Sequence, residues 1–147
     1  RIGTIGMPSG IEARIDADSH LWIHGYFNIG SGWFDTGDLA EQDDLGYYKI
    51  RGRSIDQINV NGLKINPVSI ESQLLDKFPA IEQVVVYGNN GLRCQYKGDT
   101  LESDVKEFLI SLAPHCKPVL LKCVKDIPVN DTGKISRTWL TAQDSLA

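Results

Sequence analysis

The chain has 147 residues, 41% hydrophobic and 23% charged, with 15 Lys and Arg against 19 Asp and Glu and a formal net charge of −4. That length builds one domain or two small ones around a buried core, and the composition excludes a disordered chain. The acidic balance argues against nucleic-acid binding, no apolar run is long enough for a membrane span, and no signal peptide is expected. Cys94, Cys116 and Cys123 are an odd number with no CxxC or Cys/His ligand spacing. Neither a disulfide framework nor a zinc site is expected from them, and a cytoplasmic location is. The sequence opens at Arg1 without an initiator Met, which suggests a piece of a longer protein.

Residues 1–53 are rich in β signals. Ile11 to Ile15 and Leu21 to Ile23 read as strands, with Asp16-Ala17-Asp18-Ser19 as the hairpin turn between them. Gly25 to Gly32 reads as a glycine-rich loop. Leu39-Ala40-Glu41 leads into the turn Gln42 to Gly46, and Tyr47 to Ile50 returns as a strand. No helical period is sustained here, so this half is expected to be a small antiparallel sheet or barrel fragment.

The period changes at Pro67. Val68, Ile70, Leu74, Leu75 and Phe78 share one helical face, with Pro67 in the first turn, where its missing N–H costs nothing. Val84 to Tyr87 is a β-branched strand, Gly88 to Gly91 a turn, and Leu92 to Tyr96 the returning strand. Leu101 to Leu112 repeats the helical pattern and Pro114 ends it. Val119 to Val124 is strand-like, Pro128 to Gly133 is a loop, and Ser136 to Gln143 a final short helix. The order β-α-β-β-α-β predicts a compact α+β domain with a mixed sheet and flanking helices.

Three stretches could carry chemistry. In Gly32 to Leu39, a carboxylate following Thr-Gly at a strand end can accept hydrogen bonds from vicinal hydroxyls; a solvated turn explains the same residues. Gly52-Arg53 offers a planar fork of donors for phosphate, and Asn61-Gly62 lets a ligand pass close to the backbone; a hairpin beside an exposed arginine is the plainer account. Pro128 to Arg137 puts Lys134 after Thr-Gly on a loop before a helix, where a mobile charge can reach a developing oxyanion, or be merely solvated. It is not a Walker A loop, because the upstream glycine is missing and Ile135 stands where Ser or Thr would bind magnesium. Asp-Thr-Gly occurs at Asp35 and again at Asp131. An aspartic-protease pair is rejected: Asp131 follows polar Asn130, helices separate the two, and Lys134 would upset proton sharing. His20, His24 and His115 form no ligand or triad spacing.

The order of these stretches is more specific than any one of them. Trp33 to Leu39 resembles the "GW(F/L)xTGDL" motif of the acyl-adenylate-forming ligases, the superfamily of acyl-CoA synthetases, peptide-synthetase adenylation domains and luciferases. Gly46-Tyr47 and then Gly52 to Glu71 are similar to its "DGYxxxxGRxDDxIxxxGxxxxPxEIE" junction, and Pro128 to Arg137 to its "PxTxxGKIxR" loop. The resemblance implies a reaction in which a carboxylic acid attacks Mg2+-bound ATP to give acyl-AMP. Coenzyme A, or the phosphopantetheine of an acyl carrier protein, then takes the acyl group. It implies that Asp38 holds the ribose hydroxyls, Arg53 the ribose or phosphate region, and Lys134, the catalytic lysine, the α-phosphate and carboxylate. A hinge is implied at Ile55 and Asp56, and a pantetheine channel at Gly62.

The chain departs from the pattern in places. Ile55 occupies the usual Asp or Lys pivot position, with Asp56 next along, and "EIE" reads Ser69-Ile70-Glu71. The phosphate loop, adenine site and acyl pocket would lie before Arg1, so ATP and Mg2+ are expected to be held mainly by an absent N-terminal domain. The resemblance implies residues 1–53 as the last β-barrel subdomain of that larger domain and 54–147 as a C-terminal lid domain. The expected function is that of the C-terminal part of an AMP-forming acyl-CoA ligase, inactive alone. A carrier-protein-loading adenylation domain and a non-catalytic module that kept the lid fold are the alternatives.

Overall fold

A computed structural model describes residues 4–6, 10–25 and 32–146. Most of the loop expected between Gly25 and Gly32 lies outside them. The chain divides into two compact units, Arg1–Ile55 and Asp56–Ala147, a division two residues beyond the one expected from the sequence.

The first unit is a five-stranded antiparallel sheet of β1 (Thr4–Gly6), β2 (Glu12–Ile15), β3 (His20–His24), β4 (Phe34–Gln42) and β5 (Tyr48–Arg53), in the order β1-β5-β4-β3-β2. Two aspartates shape its hairpins. Asp16 Oδ1 accepts from the N–H groups of Asp18 and His20, both at 2.9 Å, and Asp43 Oδ1 from those of Leu45 and Tyr47, both at 3.0 Å. Each carboxylate replaces backbone acceptors the turn lacks, which is why Asp opens both. Leu21, Ala40 and Tyr48 are buried against Ala13, Ile15 and Ile50. The Tyr48 hydroxyl donates to Ala13 O at 3.0 Å, so its burial strands no polar group.

In the second unit a short hairpin, β6 (Ile58–Val60) and β7 (Leu63–Ile65), leads into α1 (Pro67–Lys77), β8 (Ile81–Tyr87), β9 (Arg93–Gly98), α2 (Glu102–Leu112), β10 (Leu120–Cys123) and α3 (Arg137–Leu146). Asn66 caps α1 by accepting from Val68 N–H at 3.1 Å, and Pro67 follows as the first helical residue. β9 pairs antiparallel with β8 and parallel with β10, so the three-stranded sheet is mixed, and α2 supplies the crossover that the parallel pair needs.

Alternation along β8 feeds two cores. Val86 faces Ile70, Leu74, Val105 and Leu109, whereas Val85 and Tyr87 face Ile127 and Leu140 beneath α3. Each such aliphatic side chain contributes roughly 1.5–3 kcal/mol by leaving water. The final helix runs three residues beyond the expected Gln143, and Asp144 there accepts from the Tyr87 hydroxyl at 2.8 Å. Burial above all, and then Asp144, push that phenol above its usual pKa, so it stays a donor.

Candidate functional site

The Thr-Gly-Asp stretch was expected at a strand end, but β4 runs straight through it as Phe34–Gln42. The reason is a bulge. Trp22 pairs with Asp35 and His20 with Leu39, so β4 spends four steps where β3 spends two. Local hydrogen bonds hold the surplus residues. Asp35 accepts from Gly37 N–H at 2.9 Å and lies 3.2 Å from His20 Nδ1, while Thr36 Oγ1 donates to Leu21 O at 2.9 Å and accepts from Asp38 N–H at 3.2 Å. The Gly37 N–H, and then His20, hold the Asp35 carboxyl below its ordinary pKa.

On its other side β4 meets a second irregularity: Leu39 and Ala40 pair with Gly52 and Ile50, skipping Arg51, which sets Asp38 opposite Arg53, with Arg53 Nη1 3.1 Å from Asp38 Oδ1. Gly37 adopts φ +74°, and a Cβ on it would lie 2.8 Å from Arg53 Nη2. The backbone angle calls for glycine, and a side chain there would also push the flexible guanidinium aside. The two residues expected to hold nucleotide form one ion pair, with the arginine 57% exposed.

In the second unit the expected residues occupy separate places. Gly62, at φ +85°, is exposed at the tip of the β6–β7 hairpin, where its N–H donates to Asn59 Oδ1 at 2.8 Å. Ile58 and Ile65 bury the base of that hairpin in the main core. Ile55 lies in a 3-10 turn, Ser54–Asp56, and its side chain is exposed.

Asp56 is committed elsewhere. Arg137, at the start of α3, reaches it with Nη1 at 3.5 Å, both Glu71 carboxylate oxygens with Nη2 at 2.8 Å, and Val86 O with Nε at 3.1 Å. Glu71 also accepts from Val86 N–H at 2.9 Å. Burial raises the Glu71 carboxyl pKa, against the pull of that N–H and of Arg137. Arg137 and this pairing of Glu71 did not emerge from the sequence as site residues, although both stand in the quoted family patterns.

Lys134 presents the opposite case. It is exposed on the loop before α3 and makes no ion pair among the described residues. Its backbone is fixed at both ends by Asn130: Lys134 N–H donates to Asn130 Oδ1 at 3.0 Å, and Asn130 N–H donates to Lys134 O at 2.8 Å. Of the two cations in this loop, one is fully used and the other is free to meet an anion.

The described residues gather no cluster of three or more His, Cys, Asp or Glu side chains able to hold a metal ion. No helix among them is long and apolar enough to cross a membrane.

No protein-family model matches the chain. An acetyl-coenzyme A synthetase of Emericella nidulans is 32% identical over 129 residues, 78% of this chain and 19% of that protein. The long-chain-fatty-acid–CoA ligase FadD13 of Mycobacterium tuberculosis is 32% identical over 91% of this chain and 30% of its own length. The solved structure of a Mycobacterium tuberculosis fatty acyl CoA synthetase superposes with a TM-score of 0.71 at 26% identity, covering 98% of this chain and 35% of that one. The chain thus spans about a fifth of the acetyl-coenzyme A synthetases it matches. By sequence and by fold it belongs to the acyl-adenylate-forming ligases, of which it represents the C-terminal portion.

Proposed function

We propose that this chain is the C-terminal part of an AMP-forming ligase that activates a carboxylic acid with ATP and passes the acyl group to coenzyme A. The free, exposed Lys134 on its hydrogen-bonded turn carries the reading. In adenylation a carboxylate oxygen attacks the α-phosphorus and pyrophosphate leaves; the Lys134 ammonium neutralises charge gathering on the α-phosphate and carboxylate. Asp38 accepts hydrogen bonds from the ribose hydroxyls, and Arg53, already beside it, supplies donors to the ribose or phosphate. The thiol of coenzyme A then attacks the acyl carbon and AMP departs. The thiol proton leaves to solvent or a base outside this chain.

In this reading the first unit is the last β subdomain of a larger N-terminal domain, and the second unit is a lid that turns at Ile55. Turning withdraws Lys134 and brings the Gly62 hairpin beside the pantetheine. ATP and Mg2+ are held mainly by that larger domain, and the enzyme works in the cytoplasm. Coenzyme A is preferred to a carrier protein because the relatives above are named as coenzyme A synthetases and ligases. The test is Lys134→Ala in the complete ligase, assayed in each half-reaction separately.

A further inference from the structure

The loop that carries Lys134 has no core to hold it, since Asp131 to Ile135 are all exposed. Its order comes from one half-buried residue. Asn130 Oδ1 accepts three hydrogen bonds: from Thr132 N–H at 3.1 Å, Thr132 Oγ1 at 2.8 Å and Lys134 N–H at 3.0 Å. The Asn130 backbone adds two more, donating to Lys134 O at 2.8 Å and accepting from Gly133 N–H at 2.9 Å. Gly133 closes the turn at φ +77°, where a Cβ would meet nothing within 4 Å, so its backbone angle alone calls for glycine. Thus both backbone polar groups of Lys134 are fixed by the same residue, and with them the direction in which its Cα–Cβ bond leaves the loop.

The family pattern quoted above has threonine at this place, and this chain has asparagine. The longer asparagine side chain reaches three donors, on the second and fourth residues after it, with one carbonyl oxygen. We infer that Asn130 is the positioning residue for Lys134: its carboxamide oxygen aims the lysine, and the amide nitrogen is not needed. The inference rests on the role proposed for Lys134.

The pair Asn130→Ala and the isosteric Asn130→Asp tests it, because aspartate keeps a side-chain acceptor oxygen and alanine has none. In this chain alone, amide hydrogen exchange at Lys134 and Thr132 should speed up about tenfold in Asn130→Ala, matching loss of ~1.4 kcal/mol of hydrogen bonding, and stay slow in Asn130→Asp. In the complete ligase, carboxylate-dependent ATP–pyrophosphate exchange should lose roughly 10- to 100-fold in kcat in Asn130→Ala, with KM for ATP within about twofold. Asn130→Asp should restore most of the kcat. Unchanged kcat in Asn130→Ala, beside a Lys134→Ala variant that is inactive, would overturn the positioning role. If Lys134→Ala itself stays active, the proposed role of the lysine fails, and the inference with it. Failure of Asn130→Asp to restore slow exchange at Lys134 would overturn the assignment to the acceptor oxygen.

Discussion

Asp38 and Arg53 stand directly opposite each other in the β4–β5 ladder, 3.1 Å apart, because β5 spends an extra residue, Arg51, where Leu39 and Ala40 pair with Gly52 and Ile50. The acid proposed to hold ribose and the arginine proposed to hold ribose or phosphate are thus delivered together by strand register, without help from a loop. Neither is buried, so the pair stabilises the fold by only ~0–1 kcal/mol. Asp38→Asn and Arg53→Gln should therefore unfold in urea within that margin of the parent. In the complete ligase each should raise KM for ATP by about tenfold, as expected for a lost charged hydrogen bond. A large stability loss with unchanged KM would make the pair a structural feature only.

Arg137 behaves differently because it ties two part-buried carboxylates and a backbone carbonyl together at once. Removing it leaves the part-buried Glu71 charge half-answered, so Arg137→Ala should cost up to about 3–5 kcal/mol in equilibrium unfolding. Burial already favours the protonated form of Glu71. The variant should therefore recover part of its deficit as the pH falls and Glu71 takes up a proton. A deficit that does not shrink on acidification would mean Glu71 does not carry the cost.

At Asp35 the pKa shift runs in the other direction. Its carboxyl is held below the ordinary value of 3.8 by Gly37 N–H and then His20. The folded state prefers the carboxylate, so the contribution is complete above the unfolded pKa and is lost as pH falls through the lower folded one. The parent should be more stable than Asp35→Asn at pH 7, and the gap should close on acidification below about pH 4. A gap that stays constant across that range would contradict the assignment.

The three cysteines should separate by reactivity. Burial pushes the Cys94 thiol up to about 12 and raises Cys116, while Cys123 is exposed on β10. Because the thiolate is the reactive form, an alkylating reagent at neutral pH should label the native chain at Cys123 alone and all three after unfolding. Native labelling of Cys94 at a comparable rate would show that its core opens readily.

Much of this architecture was legible in local sequence. The 3.6-residue pattern from Val68 to Phe78 and the β-branched run at Val84 to Val86 appear as α1 and β8, because burial period and propensity agree there. The β4 bulge was not legible, since it exists only in the register between strands. Nor was the Arg137 cluster, whose members Asp56 and Arg137 are 81 residues apart and share no periodic pattern. In the sequence Asn130 is visible only as a polar neighbour of Asp131. Its value lies in the angle at which one oxygen meets three donors, which the sequence does not display.

Lys134 is proposed to serve the first half-reaction. The most direct measurement of that role compares Lys134→Ala with the parent in the complete ligase. One arm follows carboxylate-dependent ATP–pyrophosphate exchange, and the other follows transfer from supplied acyl-AMP to coenzyme A. The account predicts that exchange falls by about 100-fold or more while acyl transfer stays within about threefold, since the lysine acts only where charge develops on the α-phosphate. Equal loss in both arms, or full exchange activity without the lysine, would contradict it.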